Sequence, residues 1–347
     1  MKFNELGRTG IKVSEICLGT MTWGSQNSEI EAFEQMDYSV DQGVNFFDTA
    51  EMYPTTPPAH TTAGDTETMI GNWFAKTGKR TDIILATKVM GPNSWPSPIG
   101  DPISAKKVRE SCEGSLQRMQ TDYIDLYQLH WPNRGSYHFR QTWGYAPERQ
   151  DKAKARADME EIIGEIGKLV DEGKVRHFGL SNDTAWGLMN YLKLSEVKDL
   201  PRVASIQNEY SLMHRIFDTD LAEISHHEDV GLLSYTPLAA GLLTGKYADG
   251  TVPSGSRRSI NNTLGGRVTG HEAAALDAYI DIAKRHGMTP TELSLAFCFT
   301  RPFMASVIIG ATTMDQLREC IGAKDISLSD EVLGEIEEIY RKYPVPM

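Results

Sequence analysis

The chain has 347 residues, of which 40% are apolar and 24% are charged, and its formal net charge is −12 at pH 7. A nucleic-acid partner is not expected, because proteins that bind nucleic acids present a basic surface to the phosphates. No apolar run approaches the roughly 18 residues of a membrane-spanning helix, and the N-terminus lacks the pattern of a signal peptide, so we predict neither a membrane span nor export.

The four cysteines are scattered along the chain, and none belongs to a C-x-x-C motif. Cys17 and Cys298 lie in apolar runs, which is typical of buried free thiols rather than of disulfides or zinc ligands. A reducing, cytoplasmic location is therefore predicted. The length fits one large α/β domain or two ordinary ones, and the pattern of elements favours a single domain over residues 1–347.

The predicted elements begin with a β-hairpin at residues 3–6 and 12–15, around an Arg-Thr-Gly turn. Short apolar runs then alternate with amphipathic stretches of helical period. Buried strands are predicted at residues 16–18, 44–47, 83–86, 124–129, 177–180, 204–207, 232–235 and 306–309. Helices are predicted at residues 29–42, 65–76, 104–119, 158–172, 184–196, 218–228, 272–285, 290–300, 314–323 and 329–343.

Eight strand–helix units in a chain of this length predict a (β/α)8 TIM barrel, whose catalytic residues gather at the C-terminal ends of the strands. The alternative is a doubly wound sheet, which normally carries G-x-G-x-x-G after its first strand. Here the first strand is followed by G-T-M-T-W-G, which does not match. The barrel is therefore favoured.

Two connecting segments are longer than a connection requires. Residues 131–157 are rich in aromatic side chains, which favours an ordered flap over a pocket. Residues 245–270 carry Lys246, Arg257, Arg258 and Arg267 among glycine, serine and asparagine. In an acidic protein such a basic loop is a candidate clamp for phosphate groups, although a solvated surface loop has the same composition.

Polar side chains follow three successive strands at the predicted rim: Asp48 and Tyr53, then Lys88, then His130. Each alone has a structural explanation, such as a turn cap or a buried histidine. Together they form a general acid for carbonyl reduction. An ammonium near a phenol is expected to lower the tyrosine pKa from about 10, and a carboxylate keeps the lysine charged. A histidine beside the phenol can orient a carbonyl oxygen.

This set lacks a hydride donor, which a nicotinamide cofactor supplies and no side chain can. Other chemistries have no support in the sequence. The nine histidines show no metal-ligand spacing, so no metal site is predicted. A G-x-S-x-G elbow and a Walker P-loop are also missing.

The ordered motifs resemble those of the aldo-keto reductase superfamily over nearly the whole chain, and most of all those of its Tas-type bacterial members. They are L-G-T-M-T-W-G at residues 18–24, F-D-T-A-E-M-Y at 47–53, A-T-K at 86–88, D-L-Y-Q-L-H-W-P at 125–132, G-L-S-N at 179–182, I-Q-N-E-Y-S-L at 206–212, Y-T-P-L-A-A-G-L-L-T-G-K-Y at 235–247 and I-I-G-A-T-T-M-D-Q-L at 308–317.

The resemblance implies a catalytic tetrad of Asp48, Tyr53, Lys88 and His130, with Tyr53 as the proton donor. It also implies NADPH bound across the barrel mouth without a Rossmann fold, with NADH as a possible substitute. The positions implied to contact this cofactor are Gly19, Thr20, Asp48, Ser181, Asn182, Gln207, Tyr235, Pro237, Leu238, Leu242, Gly245, Lys246, Arg257, Gly310, Thr312, Gln316 and Glu319.

Two departures from the family pattern bear on the cofactor. The lysine and arginine that many members place after the last strand to hold the 2′-phosphate are replaced by Gly310 and Gln316, so Arg257 is expected to take that role. Cys320 stands where an asparagine is common, which removes one hydrogen bond to the adenine.

The resemblance makes a small-molecule carbonyl the expected substrate. Trp23 and Trp131 are predicted to line its pocket, and Arg134 or Arg140 could admit a carboxylate. Two other functions remain open: a protein that reports cofactor state to a partner, as potassium-channel β-subunits do within the superfamily, and a phosphate-substrate isomerase, which rests on fold class alone. The intact His130 disfavours the first. The substrate and the oligomeric state are not predicted.

Overall fold

The computed structural model describes residues 1–347, and its central feature is a closed barrel of eight parallel strands. A two-stranded antiparallel hairpin precedes the barrel. The strands are β1 (Phe3–Glu5), β2 (Lys12–Ser14), β3 (Ile16–Gly19), β4 (Phe46–Asp48), β5 (Ile84–Val89), β6 (Ile124–Leu129), β7 (Val175–Ser181), β8 (Val203–Glu209), β9 (Gly231–Tyr235) and β10 (Met304–Ile309). Strands β3 to β10 pair in sequence order, and β10 pairs with β3 to close the ring. The predicted TIM barrel and N-terminal hairpin are confirmed.

Helices surround the barrel and alternate with its strands, with extra helices near the C-terminus. They are α1 (Glu29–Asp41), α2 (Asp65–Thr77), α3 (Ala105–Arg118), α4 (Lys152–Asp171), α5 (Ala185–Lys198), α6 (Asp220–Glu228), α7 (Arg257–Ile260), α8 (Ala273–Arg285), α9 (Pro290–Phe299), α10 (Met314–Gly322) and α11 (Asp330–Lys342). None of them is both long and apolar enough to cross a bilayer.

Capping explains where most of these helices begin. The side chain of Ser28 accepts from Glu31 N, and the Glu31 carboxylate bonds the Ser28 backbone in return, which forms a capping box at α1. Helix α4 begins six residues earlier than predicted because the Asp151 carboxylate accepts from the amides of Ala153 and Lys154. The flap that precedes it is correspondingly shorter than the predicted segment.

The apolar side chains form two clusters, one on each side of the barrel wall. Phe47 points outward and packs against Trp73 of α2, with ring centroids 5.8 Å apart. Its neighbour Phe46 therefore points inward, because side chains alternate along a strand. Phe46 belongs to a ten-residue interior cluster that also contains Leu6 and Val13 of the hairpin segment. The hairpin thus closes one end of the barrel, and the polar strand ends occupy the other.

Candidate active site

The centre of the candidate site is a buried ion pair between Asp48 and Lys88. Asp48 is the last residue of β4, and Lys88 lies within β5, so the lysine is part of the strand and does not follow it as predicted. Lys88 Nζ lies 2.7 Å from Asp48 Oδ2 and 2.7 Å from the carbonyl oxygen of Thr49. The two side chains are 0% and 3% exposed. Lys88 lies within the strand because the backbone of β5 pairs with β6 as far as Val89, beyond the predicted end of the strand at residue 86.

Tyr53 and His130 complete the group. A turn after β4, held by a bond from Tyr53 N to Ala50 O at 3.0 Å, returns the phenol to the barrel mouth. Lys88 Nζ lies 5.0 Å from the centroid of the Tyr53 ring. The Tyr53 and His130 rings meet edge to face, with centroids 5.8 Å apart. The barrel therefore brings all four predicted side chains together.

Burial dominates the acid–base properties of these groups. It raises the pKa of Tyr53 above 10, and Lys88 offsets this rise only in part. The net direction is thus opposite to the lowering predicted from the sequence, and the phenol stays protonated at neutral pH. Burial acts to lower the pKa of Lys88, but Asp48 and then Tyr53 outweigh it, so the pKa is raised and the ammonium persists. Burial, and then Lys88, hold the pKa of His130 well below 6.5, so its imidazole is neutral.

Polar side chains of β7, β8 and β9 converge beside this group. Ser181 Oγ donates to Gln207 O at 2.9 Å, and Asn182 Nδ2 donates to His130 O at 2.9 Å. The Tyr235 hydroxyl donates to Asn182 Oδ1 at 2.6 Å. These four residues, all predicted to contact the cofactor, therefore lie on adjacent strands or directly after one, and Asn182 bonds directly to the backbone of His130.

The positions predicted at the start of the cofactor path are tightly packed. Thr20 Oγ1 donates to the carbonyl oxygen of Asp48 at 2.9 Å. A Cβ atom at Gly19 would lie 2.8 Å from the carbonyl oxygen of Ile309, so no side chain fits there. This close approach brings the ends of β3 and β10 together at the rim.

A charged cluster joins the flap to the basic loop. The Glu209 carboxylate accepts two bonds from Arg267, at 2.9 and 2.8 Å, and forms a second ion pair with Arg140 of the flap. Arg140 Nη1 also lies 3.2 Å from His214 Nδ1. Burial, and then the nearby Arg267, lower the pKa of Arg257 to about 10. Arg140 and Arg267 thus pair with one carboxylate, and Arg257 forms no ion pair of its own, which leaves excess positive charge near the mouth.

The two tryptophans predicted to line the substrate pocket lie in different surroundings. Trp131 is next to the site, with its ring centroid 4.9 Å from that of His130, and its indole N–H donates to Pro92 O. Trp23 is fully buried, and its indole N–H donates to Gln35 of α1 at 3.0 Å. Both arginines considered for a carboxylate are already engaged in ion pairs, Arg134 with Asp183 and Arg140 with Glu209.

Comparison with known proteins identifies the family of the chain. The profile of the Aldo/keto reductase family matches residues 15–341. The chain belongs to the aldo/keto reductase family. Protein tas of Escherichia coli (strain K12) is 44% identical to it over 353 residues, which cover 100% of this chain and 99% of that protein. The resemblance read from the motifs, including the likeness to Tas-type members, is confirmed.

Two further relatives of this aldo/keto reductase carry different descriptions. YrpG of Bacillus subtilis (strain 168), an uncharacterized oxidoreductase, is 34% identical over 98% of this chain and 96% of its own length. A probable voltage-gated potassium channel subunit beta of Arabidopsis thaliana is 29% identical over 99% of this chain and 98% of its own length. Family membership makes the chain an oxidoreductase.

The departures from the aldo/keto reductase pattern lie after β10. Thr313 caps α10, and Gln316 Oε1 accepts from the amide and hydroxyl of Thr312 at 3.0 and 3.2 Å. The Glu319 carboxylate accepts from Thr289 at 2.9 Å. Cys320 is buried. The amides at the start of α10 can receive an anion, and positions 310 and 316 themselves carry no cationic side chain.

The remaining predicted cofactor positions of the reductase lie on one loop after β9. Pro237, Leu238 and Leu242 belong to or border the segment Ala239–Thr244, whose backbone is kinked at Ala240 and Gly241 and which ends at Gly245 with φ +75°. The ammonium of Lys246 lies 5.3 Å from the centroid of the Tyr247 ring. Short helix α7 begins at Arg257, so the basic loop is partly ordered.

Sequence reasoning missed two buried residues of the reductase site, Gln128 and Glu209. Gln128 precedes His130 by two residues, and Glu209 follows Gln207 by two. Because side chains alternate along a strand, each shares an inward face with a residue already singled out. The two-residue period of side chains along a strand would therefore have identified Gln128 and Glu209 as residues of the site.

Two other buried histidines of the reductase are expected to make its stability pH-dependent. Burial is the largest cause that lowers the pKa of His138 and of His214 to about 4 in each case. An unfolded histidine binds a proton near pH 6.5, whereas these two do so only near pH 4. The stability that the neutral histidines contribute to the folded state is therefore complete above pH 6.5 and is lost as the pH falls toward 4. Each histidine is expected to lower the free energy of unfolding by about 2 kcal/mol when the pH falls from 7 to 5.

Urea unfolding at the two pH values measures this effect. The variant His138→Gln is expected to lose about 2 kcal/mol less than the parent protein between pH 7 and pH 5. His60→Gln, at an exposed position, supplies the control for replacing a histidine as such. Equal losses in the parent protein and in His138→Gln would contradict the assignment.

Proposed function

We propose that this oxidoreductase reduces aldehydes or ketones to alcohols with NADPH, and that Tyr53 is the proton donor. The observation that carries the proposal is the Asp48–Lys88 ion pair, buried beside the phenol of Tyr53 at the barrel mouth. A charged amine held in this way serves no packing purpose, since burying an ion pair gains little stability over apolar residues of the same size.

The four side chains divide the chemistry between them. Tyr53 stays protonated until charge develops on the carbonyl oxygen, and it then transfers its proton to that oxygen. The ammonium of Lys88 stabilises the phenolate that remains, and Asp48 holds Lys88 in place. His130 is neutral, and its Nε2 makes no hydrogen bond within the protein and is not among the buried unpartnered atoms. The ring therefore has hydrogen-bonding capacity for orienting the substrate carbonyl.

The residues around the mouth fit a nicotinamide dinucleotide, which supplies the hydride when bound. Ser181, Asn182 and Gln207 would hold the carboxamide, and Tyr235 would lie against the ring. The amides at the start of α10 and the cations Lys246 and Arg257 would hold the phosphates.

The direct test is NADPH oxidation with a reactive aldehyde, 4-nitrobenzaldehyde, followed at 340 nm. Turnover at ordinary enzymatic rates, on the order of 1 s⁻¹ or above, supports the proposal. Tight NADPH binding with negligible turnover across a panel of carbonyl compounds would instead support a protein that reports cofactor state. A protein that binds no NADPH would contradict both.

Arg257 is expected to decide between the two cofactors. If its guanidinium holds the 2′-phosphate, Arg257→Gln should raise the Kd for NADPH by about 10- to 100-fold, because a hydrogen bond to a charged group is worth about 1.5–3 kcal/mol. The Kd for NADH should stay within about twofold, since NADH lacks that phosphate. Fluorescence titration of each cofactor measures both constants.

The neighbouring Arg258 provides a matched control, because it lies on the same short helix and its guanidinium faces the Tyr247 ring at 5.8 Å. Arg258→Gln should leave both constants near their parental values. Equal weakening of NADPH and NADH by Arg257→Gln would assign Arg257 to the shared part of the cofactor.

A further inference from the structure

Gln128 occupies the middle of the barrel between the two halves of the candidate site. It lies on β6, opposite Lys88 of β5 on one side and Gly179 of β7 on the other. Its side chain is fully buried. A Cβ atom at Gly179 would lie 3.1 Å from Gln128 Cγ, so the neighbouring strand leaves room for this side chain.

Hydrogen bonds connect Gln128 to both Asp48 and Gln207. Gln128 Nε2 donates to Asp48 Oδ1 at 3.3 Å, and Gln207 Nε2 donates to the same oxygen at 2.8 Å. Gln207 Nε2 also donates to Gln128 Oε1 at 3.3 Å. The other oxygen of Asp48 is bound to Lys88. One carboxylate thus receives the catalytic lysine and both glutamines.

These bonds determine which way the Gln207 amide faces. An ionised carboxylate only accepts hydrogen bonds, so Gln207 must turn its NH₂ group toward Asp48. The second hydrogen of that group is taken by Gln128 Oε1. Gln207 Oε1 accepts no bond within the protein, and it is not among the buried unpartnered atoms. The atom that Gln207 offers to a ligand is therefore an acceptor.

We propose that Gln128 is a positioning residue, which holds Gln207 with its oxygen outward to accept a hydrogen bond from the carboxamide NH₂ of the nicotinamide. This inference rests on the proposed function. Without Gln128, one N–H of Gln207 loses its buried partner and the amide is held by Asp48 alone. The bond to the cofactor is then weakened although Gln128 does not touch it.

The test compares two oxidised cofactors in Gln128→Met, a change that keeps the side-chain volume and removes the amide. They are NADP⁺ and its 3-acetylpyridine analogue, whose acetyl group keeps the carbonyl oxygen but has no N–H to donate. Quenching of protein fluorescence gives each Kd. The variant is expected to bind NADP⁺ about five- to tenfold more weakly and the analogue within about twofold of the parent protein.

A double-mutant cycle with Gln207→Met isolates the coupling between the two glutamines. The double variant should bind NADP⁺ no more weakly than Gln207→Met alone, because both changes remove the same bond. Equal weakening with both cofactors, additive effects in the cycle or an unchanged Kd for NADP⁺ would overturn the proposal. If Gln128→Met does not fold, Gln128→Leu is compared in the same way. Failure of the parent protein to bind either cofactor would contradict the proposed function itself.

Discussion

Replacing Tyr53 with phenylalanine is expected to lower kcat for 4-nitrobenzaldehyde by about 10²- to 10⁴-fold, the usual contribution of a positioned general acid. The change removes a single oxygen atom from a residue that is 9% exposed, so the fold and the ring's contact with His130 persist. The Kd for NADPH is expected to stay within about twofold, because the cofactor requires no proton from the phenol. Steady-state kinetics and fluorescence titration measure the two quantities.

The matched control is another buried tyrosine. The hydroxyl of Tyr279 is buried without a hydrogen-bond partner, and the residue packs in the outer core, away from the barrel interior. Tyr279→Phe should therefore keep the parental kcat. A Tyr53→Phe protein that turns over at the parental rate would show that another group donates the proton.

Replacing Lys88 with methionine is expected to lower the free energy of unfolding by about 3–5 kcal/mol at pH 7, because it leaves the Asp48 carboxylate buried without its counter-charge. The pair is among the most deeply buried in the protein, with side chains 0% and 3% exposed. Urea unfolding with a constant m-value measures the loss. The same change is expected to abolish most of the turnover, since the phenolate of Tyr53 loses its neighbouring cation.

Two further variants distinguish the effect of an unpaired buried carboxylate on stability from the effect of losing any lysine. Adding Asp48→Asn to Lys88→Met removes the unpaired carboxylate, so it should restore most of the stability but none of the activity. Lys154 forms an exposed pair with Asp158, and Lys154→Met should cost less than about 1 kcal/mol. A loss for Lys88→Met as small as that for Lys154→Met would contradict the buried-pair argument.

The contribution of Lys88 to the free energy of unfolding also depends on pH. Because the pKa of Lys88 is raised in the folded state, its contribution is complete below the unfolded value, near 10.4, and it is lost as pH rises through the folded-state pKa. The stabilisation from the buried histidines is lost on the acid side instead. The contributions of Lys88 and of the buried histidines to the free energy of unfolding are therefore both complete between about pH 7 and pH 10.

The strand that precedes His130 shows how far the sequence alone could be read. It was predicted at residues 124–129, and β6 spans Ile124–Leu129. Apolar or aromatic residues at positions 124, 126, 127 and 129 lie between Asp122 and His130, so a local pattern sufficed. The predicted strand at residues 83–86 stopped short of Lys88 because a charged residue normally marks the end of a buried run. The structure continues β5 through it, since Asp48 compensates the charge.

The pKa of Tyr53 shows where local reasoning gave the wrong direction. The chemistry of the residue types predicted that Lys88 would lower it, and Lys88 does act in that direction. The larger effect is burial, which depends on how the flap and loops cover the barrel mouth. No pattern within the residues around position 53 contains that information.

Alternation of apolar runs and amphipathic helices, a property of neighbouring residues, was sufficient to establish the barrel, the order of its strands and the types of side chain at its rim. The partners of Gln128 and Glu209, the direction of the Tyr53 pKa shift and the orientation of the Gln207 amide were decided only when the barrel closed. Hydrogen bonds and burial depend on distances between residues far apart in the chain, and closure of the ring is what sets those distances.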